Sequence, residues 1–499
     1  MTADQDTTAP LLGQRDESEP TPLSTVQQAR AIFQVSPILA IFSLLALAEF
    51  AAVLFGIPMI SMYESAICQR YYAGVDGGAS LVTGDRCKVA PVQRELALVK
   101  GWQVTFEVIP SILTAIPYGR LADTRGRVPV LRWCLIGLGL TGIGNVIICL
   151  WPEMFPTRLV CAAAVFMLFG GGAGVLQAVV FTMVADVTTA AQRSIAFSWI
   201  SASLLVATLV ATPMSASLMS IHPWLSVSVG LTVYMGCIVM TYFIRETLKP
   251  PAANTDSSSV VSAQDDQDKP TWHQQFKAGL ASIASTDLSF LQSWSIAIFL
   301  TILLLTTLGR YVQEIILQYA TKRFSWSWSQ ASYLLMLHSL ANLLQLTLLI
   351  PWASSFLDRR FRLPPAQRDL WLARAVAVVF ALGAVLMGLS STPALLIIGV
   401  PLFASGSPFE NLIRSSLTSL VDEHHIGALY NVVAMVEYGS LLVAGPVLAS
   451  AFGVGLERGG AWLGLPFLAA AGLLVVSGVG LGFVRLPGKV REGEVDGSE

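Results

Sequence analysis

The chain has 499 residues, of which 54% are apolar and 12% charged, with a mean hydropathy of +0.64. Water-soluble domains carry about twice that charged fraction, so a fold buried wholly in water is excluded and the excess apolar surface must face lipid. The formal net charge of −2 is gathered in short segments between apolar blocks, and no basic stripe with interleaved aromatics is present, which argues against nucleic acid as a partner.

In chain order, residues 1–34 are polar and acidic, without a basic-then-apolar leader, and are expected to form a disordered cytoplasmic tail. Apolar blocks then run over 35–62, 99–119, 128–151, 157–186, 192–220 and 223–245, and again over 290–319, 327–354, 370–389, 392–419, 427–453 and 461–486. Each is long enough to cross the hydrocarbon at about 1.5 Å rise per residue. The predicted fold class is an all-α membrane protein of twelve transmembrane helices. The six-helix halves are 35–245 and 290–486, and 487–499 is a short tail.

Between the halves, 246–289 is the one large internal polar segment. Its first part is rich in Pro, Ser and Asp. Its second part spaces Trp272, Phe276, Leu280 and Ile283 as an amphipathic helix would. Short arginine-rich loops after the second span (Arg120, Arg125, Arg127, Arg132) and after the eighth (Arg359, Arg360, Arg362, Arg368) are expected on the cytoplasmic side, and an even span count then puts both termini there. The segment 63–98 is expected as a long outer loop. It carries Cys68 and Cys87, which would pair in an oxidising compartment and otherwise remain two thiols.

The two halves carry matching landmarks. Asp123 in "LADTRGR" and Asp358 in "FLDRRFR" are 235 positions apart, and Asp186 and Asp422, after the fourth and tenth spans, are 236 apart. Two independent features with nearly one offset indicate two parallel repeats. In "GRLADTRGR", Gly119 is expected to let a helix end pack closely, Gly126 to permit a tight reversal, and Asp123 with Arg127 to form a charged latch between cytoplasmic ends, with Asp358 and Arg359 as the second-half counterpart.

The pattern G-x-L-x-D-x-x-G-R resembles the signature loop of the major facilitator superfamily, and the likeness extends over the twelve spans, the linker and the weaker second copy. "YESAICQRYY" and "RCKVAPVQRELA" resemble a fungal branch whose members are presumed exporters. That resemblance implies a secondary transporter, working as a monomer in the plasma membrane, that moves a small organic molecule with protons as the coupling ion. The proline-rich export motif of the fifth span is not matched around Pro213, so direction is open between export and an uptake permease. A non-transporting sensor is the rival of another class, disfavoured by the short polar tail.

Ionisable groups inside the spans cost a few kcal/mol each in lipid and so point to a cavity or a partner. The candidates for proton or substrate binding are Glu49, Glu107, Gln177, Arg310, Glu314, His338, Glu410, Arg414 and Glu437. For each, a structural hydrogen bond between helices is the competing role, and His338 is weighed chiefly as a core histidine. Arg310 with Glu314, and Glu410 with Arg414, stand at i, i+4 spacing and are expected to pair along one helix face, with Arg414 snorkelling toward the interface. Asn342 is a further hydrogen-bonding candidate. The glycine-rich "FGGGAG" and the Pro408-containing "FASGSP" mark places where a helix can bend or break. There is no G-x-S-x-G, no P-loop and no metal-spaced His/Cys cluster. No enzymatic activity, metal or cofactor is therefore expected.

Overall fold

The computed structural model describes residues 37–76, 84–188, 190–248, 293–361, 364–421 and 426–484. The tails, the amphipathic stretch at 272–283, and Asp422 with its neighbours His424 and His425 lie outside them. The described chain is helical, and twelve of its helices are long and apolar enough to span a bilayer. We number them α1 (Pro37–Asp76), α2 (Ala90–Arg125), α3 (Arg127–Leu150), α4 (Thr157–Val187), α5 (Ala190–Ile221), α6 (Pro223–Met240), α7 (Trp294–Phe324), α8 (Trp328–Phe361), α9 (Pro365–Gly388), α10 (Pro393–Thr418), α11 (Ile426–Arg458) and α12 (Gly460–Phe483). Val210, Leu348, Val378, Val476 and Val479 are each mostly exposed on the outer faces, a surface that only lipid tolerates.

Helices α1–α6 form one bundle and α7–α12 the other. In the first, α1 packs against α5 and α6. In the second, α9 packs against α10 and α12. The halves meet through two helix pairs, α2 with α11 and α5 with α8. The repeat maps α2 onto α8 and α5 onto α11, so each pair is the image of the other.

The described parts of 63–98, residues 63–76 and 84–98, are largely helical and not the loop that polarity suggested. Helix α1 continues to Asp76 and α2 begins at Ala90. At about 1.5 Å per residue, 40 residues reach well past the hydrocarbon, so both helices project from one end. A disulfide joins Cys68 to Cys87 there, closing the short connection. Glu64 is buried and accepts from Lys88 Nζ (2.7 Å), Trp328 Nε1 (2.6 Å) and Gln93 Nε2. Charges of this polar sequence find partners while it stays helical: Glu64 with Lys88 inside the stretch, and Arg94 with Glu457 and Glu95 with Arg158 outside it.

Four helices break the α pattern in mid-span. Helix α4 tightens to a 3₁₀ run at Ala164–Phe169, and Gly171 and Gly172 then take φ of +87° and +68°. That left-handed region strongly favours glycine. Helix α10 is interrupted between Pro393–Phe403 and Gly406–Thr418. Phe169 and Phe403, each opening its break, are 234 positions apart, the same repeat offset within two residues. Helix α7 has a 3₁₀ segment at Tyr311–Ile315, and α8 a π segment at Gln345–Leu349. Such departures gather where backbone groups line a cavity.

Candidate functional site

A cavity of about 710 Å³ lies between the two halves. Glu49 of α1, Lys100 and Glu107 of α2 and Thr208 of α5 reach it from one half. Arg310 and Glu314 of α7, His338 and Asn342 of α8 and Ser407 of α10 reach it from the other. Thr208 Oγ1 donates to Glu49 Oε1 (3.1 Å), and Gln103 Nε2 donates to Glu107 Oε1 (2.7 Å). Asn342 Nδ2 donates to Ser407 Oγ (3.1 Å), which ties α8 to the broken α10. Gln345 Nε2 gives a hydrogen bond to Pro401 O (2.8 Å), supplying a donor just before that break.

The expected pairs along single helices do not form. Arg310 pairs with Glu410 (2.8 Å) and Arg414 with Glu437 (2.5 Å), so both bonds cross between helices. The reason lies in α7. Residues i and i+4 lie about 40° apart on an α-helix but about 120° apart on a 3₁₀ helix, so the Tyr311–Ile315 segment swings Glu314 away from Arg310. Arg310 is then turned toward Glu410, which is only 5% exposed. Arg414 does not snorkel either: its guanidinium is held by Glu437 of α11. The outcome is a line of alternating charges, Arg310, Glu410, Arg414 and Glu437, through α7, α10 and α11 behind the cavity wall. Glu410 Oε1 and Arg414 Nε are buried in it without a hydrogen-bond partner. Of the four, only Arg310 lines the cavity.

A second chamber of about 580 Å³ lies inside the first half. It shares Glu49, Lys100 and Glu107 with the central cavity, so the three form the neck between them. Its walls include Phe55, Met59, Leu138, Met167, Phe181 and Tyr234, and Gln177 points into it.

At the arginine-rich end, the ion pairs of Arg127 and Arg368 lie within their own halves. Arg127 bonds Asp123 one turn away and Asp186 at the end of α4 (3.3 Å). Glu246, beyond α6, accepts from the N–H groups of Arg127 (2.7 Å) and Val128 (3.1 Å) and so caps α3. Gly126 is favoured by its backbone conformation, and a side chain there would also push the capping Glu246 carboxylate aside. Its φ is +110°, and a Cβ there would stand 2.3 Å from Glu246 Oε2. Gly119 does not make the expected close packing, because a Cβ there meets nothing within 4 Å. In the second half Asp358 pairs with Arg368 (2.7 Å), which also holds Asp369 (3.1 Å), while Arg359 is exposed. The arginine that replaces the expected partner comes from α9. Because Asp186 remains to hold Arg127, Asp123→Asn is expected to lower stability by less than about 1 kcal/mol. It is also expected to slow transport several-fold at normal protein levels, measured as initial rates in membrane vesicles. Unchanged rates would remove Asp123 from the gate.

The opposite, disulfide end is where the halves join. Thr105 Oγ1 donates to Leu442 O (2.9 Å), Gln318 Nε2 to Gln93 O (2.6 Å), Ser329 Oγ to Ala216 O (2.8 Å), and Arg94 pairs with Glu457 (2.5 Å). A Cβ on Gly101 would stand 2.5 Å from Gly445 O, so α2 and α11 touch backbone to backbone.

Several of these residues escaped the reading of the sequence. Lys100 stands at the edge of an apolar block, but Lys100, Gln103 and Glu107 at i, i+3 and i+7 share one helical face, and that spacing was the available signal. Gln103 and Thr208 are uncharged, and nothing local says whether such residues face lipid, core or cavity. Glu246 falls at the linker boundary.

The sequence profile described as the Major Facilitator Superfamily matches residues 90–444. The chain is 33% identical over 412 residues to "Efflux pump ustT" of Aspergillus flavus, covering 81% of this chain and 79% of that one. It is 30% identical over 441 residues to "MFS efflux pump atnC" of Emericella nidulans, covering 86% and 84%. Among solved structures it is similar to a D-xylose-proton symporter, with a TM-score of 0.59 at 11% identity, over 89% of this chain and 97% of the other.

Proposed function

We propose, from the premise that this chain belongs to the major facilitator superfamily and is one of its transporters, that it exports a small organic molecule in exchange for protons. The observation that carries the reading is the cavity between the halves, where three carboxylates, Glu49, Glu107 and Glu314, meet two cations, Lys100 and Arg310. A carboxylate in such a place takes up a proton or a cationic group, one at the expense of the other, which is the chemistry an antiporter needs. The efflux pumps of two fungi, at 30% identity or more over most of their length, support export over uptake.

The cycle is alternating access by rocking of two bundles. Short arginine loops belong on the cytoplasmic side, which makes the disulfide end the outer one. The cross-half bonds named above then hold the outer gate closed while the cytoplasmic ends are tied within their own halves, an inward-facing arrangement. In the alternative state the α2–α11 and α5–α8 contacts part at the outer end, and the charged helix ends of the two halves meet. Glu49 and Glu107 are the proton-exchanging carboxylates of the first half. The Arg310–Glu410 pair responds to them from the second. The chain acts as a monomer in the plasma membrane with both termini cytoplasmic.

Inverted vesicles with an acidic lumen, from cells overproducing the chain, test this. Radiolabelled organic compounds should accumulate in the lumen, and the accumulation should collapse when a protonophore dissipates the gradient. Accumulation confined to right-side-out vesicles in acidic medium would instead identify an uptake permease.

A further inference from the structure

We infer that the substrate is an amphipathic organic cation, whose apolar body occupies the chamber inside the first half while its positive group sits at the Glu49–Lys100–Glu107 neck. The inference rests on the proposed transport function and adds the chemical class of what is carried.

Three observations converge on it. The two cavities differ in chemistry yet communicate. The central one is walled on both sides by ionisable groups, whereas the chamber is walled by rings, thioethers and aliphatic side chains. A wholly polar solute would leave the chamber empty, and a wholly apolar one would have to pass a neck that carries three charged side chains.

The second observation is that the chamber is apolar but not featureless. Asn145, 4% exposed, and Gln103, 8% exposed, both line it, and each has a buried amide atom with no hydrogen-bond partner. Both atoms are amide oxygens, Asn145 Oδ1 and Gln103 Oε1, and a buried acceptor left unpaired costs about 1–3 kcal/mol, a cost that a hydroxyl or N–H donor on the ligand would relieve. The occupant is therefore an apolar body carrying one or two hydrogen-bond donors, not a plain hydrocarbon chain. A lipid tail fills the same volume but leaves both amides unpaired.

The third is the sign of the charge. Glu49, Glu107 and Glu314 face the central cavity as carboxylates. Against them stand Lys100 and Arg310, and Arg310 is already engaged by Glu410. Glu49 and Glu107 are oriented by Thr208 and Gln103, which leaves each a second oxygen for a ligand. With Glu49 and Glu107 both ionised, the two carboxylates outnumber Lys100 at the neck, a balance that attracts a cation and opposes an anion.

Equilibrium binding to the full chain purified in detergent tests this without any transport step. The probes are tetraphenylphosphonium and tetraphenylborate, which share size and aromatic surface and differ in charge, so that they test the sign of the charge and the apolar body without the chamber's hydrogen bonds, with choline as a cation lacking the apolar body. The expected result is saturable tetraphenylphosphonium binding that choline does not compete. Glu107→Gln and Glu49→Gln should weaken it about tenfold each. Leu138→Trp, which fills the chamber, should weaken it at least as much. Variants are compared only as monodisperse protein, and the isosteric Glu→Gln changes carry the test if the tryptophan disturbs folding. Equal or tighter binding of tetraphenylborate overturns the inference. So does phosphonium binding that all three variants leave unchanged, and so does the absence of binding by either probe. None of these outcomes touches the vesicle experiment, so the substrate class can fall while the transport reading stands.

Discussion

Replacing Gly445 with leucine is expected to reduce transport to below about a tenth of the wild-type rate while the protein still inserts and accumulates. A Cβ at Gly445 would lie 2.1 Å from Gly101 O, and one at Gly101 would lie 2.5 Å from Gly445 O. In both cases the obstacle is backbone on the facing helix, which cannot swing aside as a flexible side chain does. Relief requires α2 and α11 to separate, and that pulls on the Thr105–Leu442 bond and the Arg94–Glu457 pair at the same interface. The variant should rest with its disulfide end open. Cysteines introduced as Arg94→Cys and Glu457→Cys should cross-link readily in the otherwise unaltered chain and poorly when Gly445→Leu is added. Normal transport together with normal cross-linking would show that this contact is not a gate. Insertion itself should not suffer, because leucine is more favourable than glycine in a membrane helix.

The reach of the sequence can be judged residue by residue. Twelve spans and two repeats were legible because apolar length and the Asp123–Asp358 and Asp186–Asp422 offsets are properties of the linear chain. The two breaks were legible singly, from the glycines of "FGGGAG" and the proline of "FASGSP", and the structure shows them to be a matched pair at the repeat offset. Glu49, Glu107, Arg310, Glu314 and His338 could be picked out because a charge inside a span demands an account, and the structure gathers all five around one cavity. What the sequence did not yield was partnership. Spacing of i, i+4 implies a pair only while the helix stays α, and the 3₁₀ turn at Tyr311–Ile315 rewires Arg310 to a residue one hundred positions away. Polarity likewise misled at 63–98, where Glu64 and Lys88 satisfy each other inside a helical projection rather than facing water from a loop. Gly119 carries the family pattern without the packing contact expected of it, because the face it belongs to opens on empty space in this arrangement.

The rewired pair supports the second large prediction. Arg310→Met alone leaves Glu410, 5% exposed and already short of one hydrogen bond, without its ion-pair partner, with only Arg414, itself held by Glu437, as a neighbouring cation. Breaking a fully buried pair from one side typically costs about 3–5 kcal/mol; because Arg310 is 38% exposed and Arg414 stays near Glu410, the loss should be smaller than that but still appear as a fall in the melting temperature of the purified protein. Glu410→Leu alone should do less harm. Arg310 is 38% exposed, can reach the cavity, and has Glu314 on the same wall. Combining the two changes removes both charges and fills the space with apolar atoms, which is often neutral or stabilising. The double variant is therefore expected to recover most of the stability that Arg310→Met loses. Its transport should nonetheless stay low, because in the proposed cycle Arg310 is the second half's answer to the carboxylates of the first. The two measurements separate the roles of the pair. Recovered stability with lost transport assigns it to the cycle, whereas recovery of both would make it a structural brace between α7 and α10.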